Sequence, residues 1–257
     1  TIAKLGGNVD FITKIGKDSY GEMALNLYKE TNVKTDSILI DKNHSTGVAG
    51  IMVDQYGNNA INIIPGASGK ITYQDIHNNL ETIKNSKVFL TQLETPHDVT
   101  INALKLAKEN NCITILNPAP AREIAESDFK LIDYFTPNET EAEYYLNQKL
   151  DSDEDIKDVA SKFLDKGVKN IIITLGEKGA YFANNEQNFF IRSHNLKEKV
   201  IDTTGAGDVF NGALAFSLAN DTNIKDAILF ANKVAGISTT RLGAANSVPS
   251  LNEVVSY

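Results

Sequence analysis

Residues 87–116 read KVFLTQLETPHDVTINALKLAKENNCITIL and contain a complete strand–helix–strand unit. The apolar runs Lys87–Leu90 and Ile113–Leu116 predict two strands. Between them, Pro96–Glu109 has the pattern of a helix, with Pro96 suited to its first turn. Two strands joined through a helix lie parallel in one sheet. The unit therefore predicts a parallel sheet with helices packed against it.

The same alternation continues on both sides of this unit. Further strands are predicted at Val9–Ile15, Tyr134–Thr136 and Ile171–Thr174, and further helices at Tyr20–Glu30, Asn138–Leu146, Asp153–Lys166, Ala206–Leu218 and Lys225–Thr240. Gly179–Ala183 and Phe189–Ile191 predict a hairpin. Together these elements predict a single α/β domain over residues 1–257, with a mostly parallel central sheet and helices on both faces.

A second predicted hairpin interrupts the alternation. The runs Gly47–Val53 and Asn59–Ile64 flank Asp54–Asn58, which has the composition of a turn. We therefore expect a small sheet, at about residues 47–64, added to the main domain.

The composition disfavours several classes of protein. The 257 residues are 42% hydrophobic and 23% charged, as in an ordinary globular protein, and the net charge is −8. An acidic surface repels phosphate backbones and anionic lipid, so neither nucleic acid nor a membrane is the expected partner. No apolar run is long enough to span a bilayer. The single cysteine, Cys112, fits a reducing, cytoplasmic location.

The strongest chemical signal is the segment Asp202–Gly212, with the sequence DTTGAGDVFNG. Gly205 and Gly207 allow the backbone to bend closely around a ligand, and free amides at the start of the following helix attract anions. An acidic residue at this anion-binding turn has a chemical role if Asp208 removes a proton from an attacking hydroxyl while the amides hold a transferred phosphoryl group. The alternative is a tight turn followed by an ordinary first-turn acid.

Three other turns that follow predicted strands carry candidate site residues. Asn138 and Glu141 lie one helical turn apart and could hold phosphate and hydrated Mg²⁺, although helix capping is the simpler interpretation. Glu94 could accept a hydrogen bond from a sugar hydroxyl or be a solvated acid. Thr174 and Gly176 could line a nucleotide or form an ordinary strand-to-hairpin turn.

Several familiar motifs are missing from the sequence. It has neither a Walker loop nor the His-Arg-Asp loop of protein kinases. The third glycine of a dinucleotide fingerprint is replaced by Phe210, which disfavours a nicotinamide enzyme. The four histidines have no zinc-ligand spacing, and none is assigned to catalysis.

The segment Val200–Gly212 resembles a signature of the PfkB carbohydrate kinases, the ribokinase family. Further strings similar to ribokinase-type members extend the resemblance along the whole chain. They are Gln92–Pro96, Leu116–Ala121, Thr136–Glu143 and Thr240–Pro249. The resemblance implies an ATP-dependent kinase whose acceptor is a sugar, D-ribose, with ribose 5-phosphate as the product.

The resemblance also implies roles for individual residues. Asp208 would be the catalytic base in contact with the sugar, and Glu94 would bind the sugar. An anion hole would be formed by the amides of Gly205, Ala206 and Gly207. The nucleotide and its Mg²⁺ would be held by Asn138, Glu141, Thr174, Gly176 and Asn232. A K⁺ ion would be bound by Asp202 and Ser247, and by the carbonyl groups of Thr204, Thr239, Leu242 and Gly243.

In this family the added hairpin is a lid that excludes water and pairs with a second lid, so a homodimer is expected. The family also begins with a strand that carries sugar-binding Asn and Asp, followed by a Gly-Gly-Lys-Gly-Ala-Asn-Gln motif, and neither is found in this sequence. We therefore expect this chain alone to be poorly stable or inactive and the full protein to be active. A kinase for another sugar or a nucleoside, or a non-catalytic sensor on the same fold, remain alternatives.

Overall fold

The computed structural model describes residues 1–53 and 59–257. The strands within them are β1 (Thr13–Gly16), β2 (Ile38–Asp41), β3 (Val48–Val53), β4 (Asn59–Ile64), β5 (Val88–Thr91), β6 (Ile113–Leu116), β7 (Tyr134–Phe135), β8 (Asn170–Thr174), β9 (Ala180–Ala183) and β10 (Asn188–Ile191). The helices are α1 (Ser19–Glu30), α2 (Tyr73–His77), α3 (Leu80–Lys84), α4 (His97–Glu109), α5 (Glu139–Leu146), α6 (Asp153–Asp165), α7 (Ala206–Ala219), α8 (Ile224–Ser238) and α9 (Leu251–Ser256).

Six strands form the main sheet, in the order β10-β9-β8-β7-β6-β5. The four strands β5 to β8 are parallel: α4 connects β5 to β6, a long segment with one 3-10 helix (Glu126–Leu131) connects β6 to β7, and α5 and α6 connect β7 to β8. In contrast, β8, β9 and β10 are antiparallel and joined by tight turns. The α/β fold with a mostly parallel sheet is therefore confirmed. The predicted bounds shift by a few residues: β1 occupies only the end of the predicted strand Val9–Ile15. Pro96 precedes α4 as its N-cap instead of lying in its first turn.

The sheet is buried on both faces, which explains its continuous apolar strands. Ile115 and Ile172 pack in one cluster with Val209 and Phe210 of α7. The neighbouring residues point to the opposite face, where Leu116 packs with residues of α4 and α6. This alternation fixes which side chains at the strand ends face α7.

Two smaller sheets lie apart from the main one. β1 pairs in parallel with β2, and β3 pairs with β4 in an antiparallel hairpin. The hairpin, called the lid hairpin below, runs from the pair Val48–Ile64 to the pair Val53–Asn59. The predicted turn Asp54–Asn58 lies outside the described residues. None of the helices in the described ranges is long and apolar enough to cross a bilayer.

Candidate active site

The carboxyl ends of the parallel strands bring distant parts of the sequence together. Leu116, the last residue of β6, is paired with Thr91 of β5 and with Phe135 of β7. On the far side of β7, Asn138 and Thr174 form an isolated bridge. The turns that carry Glu94, Asn138 and Gly176 therefore lie along one edge of the sheet, where ligands bind in open α/β folds.

Helix α7 begins at this edge without a side-chain cap. Its N-cap is Gly205, whose φ of 74° is readily accessible only to glycine, and no side chain bonds the first-turn amides. The amides of Gly205 and Gly207 make no backbone hydrogen bond within the described residues, whereas Ala206 donates to the carbonyl of Thr203 at 3.1 Å. Two of the three predicted anion-hole amides are thus free, and that of Ala206 is engaged in a turn.

Asp208 lies in the first turn of α7, where solvent still reaches it. Burial of its carboxyl group among surrounding protein atoms nevertheless raises its pKa. A carboxyl group whose pKa is raised binds a proton more tightly, which is the property that a general base requires.

Glu94 and Glu141 are electrostatically linked to Asp208. Burial raises the pKa of Glu94, the negative charge of Asp208 raises it further, and Arg122 lowers it. Burial also raises the pKa of Glu141, the amide of Asn138 lowers it, and Asp208 again raises it. Glu94 and Glu141, which are far apart in the sequence, therefore each lie close enough to Asp208 for its negative charge to act on them.

Asn138 and Glu141 form a reciprocal capping box at the start of α5. The Oδ1 atom of Asn138 accepts from the amide of Glu141, and the Oε2 atom of Glu141 accepts from the amide of Asn138, both at 2.8 Å. The simpler interpretation of these two residues is thus realised. One carboxylate oxygen of Glu141 and the side-chain NH₂ group of Asn138 remain for a ligand.

A metal bound here would have few protein ligands. Within the described residues, no three His, Cys, Asp or Glu side chains are grouped closely enough to hold a metal ion. Mg²⁺ typically keeps several waters and is held by one or two carboxylates together with substrate phosphates. The free oxygen of Glu141 is compatible with that mode of binding.

Asp202 connects the two ends of the predicted K⁺ site. Its Oδ1 atom accepts from the amide of Thr204 and its Oδ2 atom from the amide of Gly243, each at 2.9 Å. The nearby Thr204 hydroxyl and these two amides lower the pKa of Asp202. The Thr204 hydroxyl is buried and lies outside hydrogen-bond geometry with any described residue. Asp202 therefore remains charged, and the same turn contains the unpaired hydroxyl oxygen of Thr204.

The other predicted K⁺ ligands differ in availability. Ser247 is buried and donates its hydroxyl to the carbonyl of Ala244 at 2.7 Å, so its oxygen lone pairs remain. Leu242 and Gly243 lie in an exposed turn with no hydrogen bond to their carbonyl groups within the described residues. The carbonyl of Thr239 already accepts from the amides of Ile201 and Asp202, which counts against it as a ligand.

The predicted nucleotide residues divide into two groups. Thr174 and Gly176 lie together at the end of β8, where the amide of Thr174 donates to the carbonyl of Pro137 at 3.0 Å. Asn232 lies on α8, and no described hydrogen bond joins it to the others. Its side-chain nitrogen is buried without a partner among the described residues, as expected for a group completed by a ligand.

Sequence reasoning gave no role to Asn117, Thr136 or Asn211, which all lie at this edge. Thr136 donates to Asn211 at 2.6 Å, and Asn211 donates to the carbonyl of Gly207 at 2.9 Å. Asn117 directly follows the apolar strand β6 and is 6% exposed. The available signal was a polar residue directly after a strand that is buried on both faces.

Similar proteins match nearly the whole of this chain. A sequence model described as pfkB family carbohydrate kinase matches residues 1–251. The ribokinase of Staphylococcus aureus (strain COL) is 38% identical over 253 residues, which cover 98% of this chain and 83% of that protein.

Solved structures give the same result. The ribokinase of Thermotoga maritima superimposes with a TM-score of 0.88 at 36% identity, over 99% of this chain and 83% of that one. The ribokinase of Arabidopsis thaliana, solved with ribose and ATP, gives a TM-score of 0.91 at 27% identity, again over 99% and 83% of the two chains. The resemblance stated from Val200–Gly212 is confirmed, and the chain belongs to the pfkB family of carbohydrate kinases.

Proposed function

We propose that the protein is an ATP-dependent kinase that transfers the γ-phosphoryl group of ATP to the 5-hydroxyl of D-ribose. The observation that carries the proposal is the first turn of α7, where Asp208, with its raised pKa, stands beside the free amides of Gly205 and Gly207. The choice of ribose is supported by the relatives, several of which are named ribokinase.

Asp208 is assigned as the general base. As the ribose hydroxyl attacks the γ-phosphorus, the proton of the hydroxyl passes to the Asp208 carboxylate, a new P–O bond forms, and the bond between ATP's β,γ-bridging oxygen and the γ-phosphorus breaks. The amides of Gly205 and Gly207 donate to the oxygens of the phosphoryl group, and the α7 dipole adds to that attraction. Ala206 contributes its amide only if its bond to Thr203 opens.

The remaining residues bind the substrates. Glu94 accepts a hydrogen bond from a sugar hydroxyl, while Thr174, Gly176 and Asn232 contact the nucleotide. Asn138 and Glu141 hold the phosphates and their Mg²⁺, which neutralises phosphate charge during transfer. Because three carboxyl groups surround this position, a bound cation would also relieve their mutual repulsion.

A monovalent cation, K⁺, is proposed to lie beside Asp202. Its oxygen ligands would be Ser247 and the carbonyl groups of Thr204, Leu242 and Gly243. The carbonyl of Thr239 is left out because it already accepts two hydrogen bonds. Positive charge there would hold the turn that leads into α7. The low pKa of Asp202 and the unused Thr204 hydroxyl support this assignment.

We further propose one domain over residues 1–257 and a homodimer formed through the lid hairpin. The hairpin leaves Met52 and Ile64 exposed, at 66% and 57% of their surface, which supports burial against a second hairpin. The cytoplasmic location stays a prediction; the free, buried thiol of Cys112 is compatible with it.

The test is ADP release by the intact natural protein with Mg²⁺ and K⁺. Ribose, deoxyribose, fructose, adenosine and no sugar are compared at equal concentration. Release that depends on ribose supports the proposal. Release with a different acceptor would keep the mechanism and change the substrate, and ATP binding without release for any acceptor would favour a non-catalytic sensor.

A further inference from the structure

Asn117 lies in the middle of the candidate site. It directly follows β6, and its amide donates to the carbonyl of Thr91 in the β5 ladder at 3.0 Å. On the other side, the amide of Thr136 donates to the carbonyl of Leu116 at 3.1 Å. Asn117 therefore stands between the turn that carries Glu94 and the turn that carries Asn138.

The side chain of Asn117 faces α7. Side chains alternate along a strand, and Ile115, two residues earlier, packs with α7 while Leu116 packs on the opposite face. The ladder continues through the amide of Asn117, so the alternation holds at this residue. The neighbouring Thr136 has the same orientation, because its hydroxyl bonds Asn211 of α7.

Asn117 is almost completely buried as a residue, but its carboxamide still reaches solvent and has no protein partner among the described residues. The residue is 6% exposed, yet no hydrogen bond of the described residues involves its side chain. Asn170, at the opposite end of the sheet, is also 6% exposed, but its side chain donates to the carbonyl of Asp133 and accepts from Asn184. The unpaired carboxamide of Asn117 is therefore available to a ligand, to which it can offer two N–H donors and one acceptor oxygen.

The chemistry around Asn117 indicates which ligand that is. Glu94 on one side is assigned to the sugar, Asn138 on the other to the phosphates, and Asp208 lies on the α7 face. The group that moves between sugar and phosphates is the phosphoryl group. A neutral amide offers two N–H donors to its oxygens, without adding a fourth negative charge to the three carboxyl groups already present.

We propose that Asn117 is a further catalytic residue, whose side-chain NH₂ group donates a hydrogen bond to a non-bridging oxygen of the phosphoryl group during transfer. The proposal rests on the proposed kinase function. The bonds made and broken are those of the transfer itself, and the proton still passes to Asp208. Asn117 stabilises charge on the phosphoryl oxygens as they move, in the manner of an oxyanion-hole donor.

The test compares Asn117→Ala and Asn117→Asp with the matched control Asn170→Ala in the intact protein. Removal of one such donor should lower kcat by on the order of 10²-fold and leave both KM values within about twofold. The affinity for ADP with Mg²⁺, aluminium fluoride and ribose, which imitates phosphoryl transfer, should fall, while the affinity for ADP alone should not. Asn170→Ala should lower the unfolding temperature and leave kcat unchanged, because Asn170 makes its hydrogen bonds at the start of β8, away from the candidate site.

Two results would overturn the inference. One is an Asn117→Ala protein that keeps the parent kcat; the other is an equal loss of affinity for ADP with and without aluminium fluoride. If Asn117→Ala does not fold, the isosteric variant Asn117→Asp provides the test. It replaces the N–H donors with a negative charge, so kcat should fall, and an unchanged kcat would overturn the inference. Absence of activity in the parent with every acceptor would instead reject the proposed kinase function.

Discussion

The hydroxyl of Thr136 donates a hydrogen bond of 2.6 Å to the Oδ1 atom of Asn211, across 75 residues of sequence. Asn211 then donates through Nδ2 to the carbonyl of Gly207 at 2.9 Å. Both residues are buried. This chain of bonds fixes the end of β7 to the first turn of α7, the part of the helix that carries the free amides and Asp208.

Thr136→Val should destabilise the protein because it removes the hydroxyl and leaves the buried Oδ1 atom of Asn211 unsatisfied. A loss of about 1–3 kcal/mol in the free energy of unfolding is expected. Urea denaturation measures it. Thr136→Ser is the control, since it keeps the hydroxyl and should stay closer to the parent; equal losses for both variants would mean that packing, not the hydrogen bond, matters at this position.

Asp208→Ala should lower kcat by about 10²–10⁴-fold and change ATP affinity little, because a general base acts in the transition state. The matched control is Asp226→Ala, which removes the acidic residue at the same position of the first turn of α8. ADP release and nucleotide binding measure both quantities. If the two variants kept similar turnover, Asp208 would be no more than a first-turn helix acid.

The raised pKa of Asp208 also predicts how stability depends on pH. Its folded pKa lies above the ordinary value, so the folded state binds the proton more tightly than the unfolded chain, and stability falls as the pH rises through that interval. The cost grows with pH across this interval and is fully present above the folded pKa. Asp208→Asn should therefore unfold at a higher temperature than the parent at neutral pH, and the difference should shrink as the pH falls towards the ordinary aspartate value.

Thermal unfolding over a series of pH values tests this prediction, with Asp226→Asn as the control. The same substitution should lower the pKa values of Glu94 and Glu141, because it removes a negative charge that raises them. If Asp208→Asn unfolds at the same temperature as the parent at every pH, the ionised Asp208 does not destabilise the folded protein.

Asp202→Asn should abolish stimulation of ADP release by K⁺, since it removes the negative charge beside the proposed ion, while its one carboxamide oxygen can still accept from one of the two amides of Thr204 and Gly243. Because the pKa of Asp202 is lowered, stimulation in the parent should not vary with pH around neutrality. Asp221→Asn is the control, an exposed acid paired with Lys87. Unchanged K⁺ stimulation in Asp202→Asn would place the ion elsewhere.

The sequence predicted those features that depend on side-chain pattern. The run Ile171–Ile173 is apolar at every position, which is typical of a strand buried on both faces, and the structure has β8 there. Glu94 and Glu141 could be predicted to lie together because turns after parallel strands meet at one edge. Asp208 joins them through α7, which follows the antiparallel strand β10, so that reason does not place it.

Features that depend on backbone hydrogen bonds could not be predicted in this way. The sequence carries no signal that the amide of Ala206 bonds Thr203, or that the carbonyl of Thr239 accepts two bonds. The sequence shows that Pro118 follows Asn117, but only the packing of Ile115 against α7 shows which face the Asn117 side chain occupies.

Lys4 holds the turn that contains several of the proposed K⁺ ligands. Its ammonium group donates to the carbonyls of Ala245 at 3.2 Å and Val248 at 2.9 Å, on either side of Ser247. Lys4→Met keeps the aliphatic part of the side chain and removes these donors. We expect a higher K⁺ concentration for half-maximal stimulation and a nearly unchanged kcat at saturating K⁺, whereas Lys157→Met on the exposed face of α6 should change neither. If Lys4 only positions the K⁺ ligands, its loss weakens K⁺ binding, and a high K⁺ concentration refills the site and restores kcat. A fall in kcat that saturating K⁺ does not restore would instead show that Lys4 supports the fold generally.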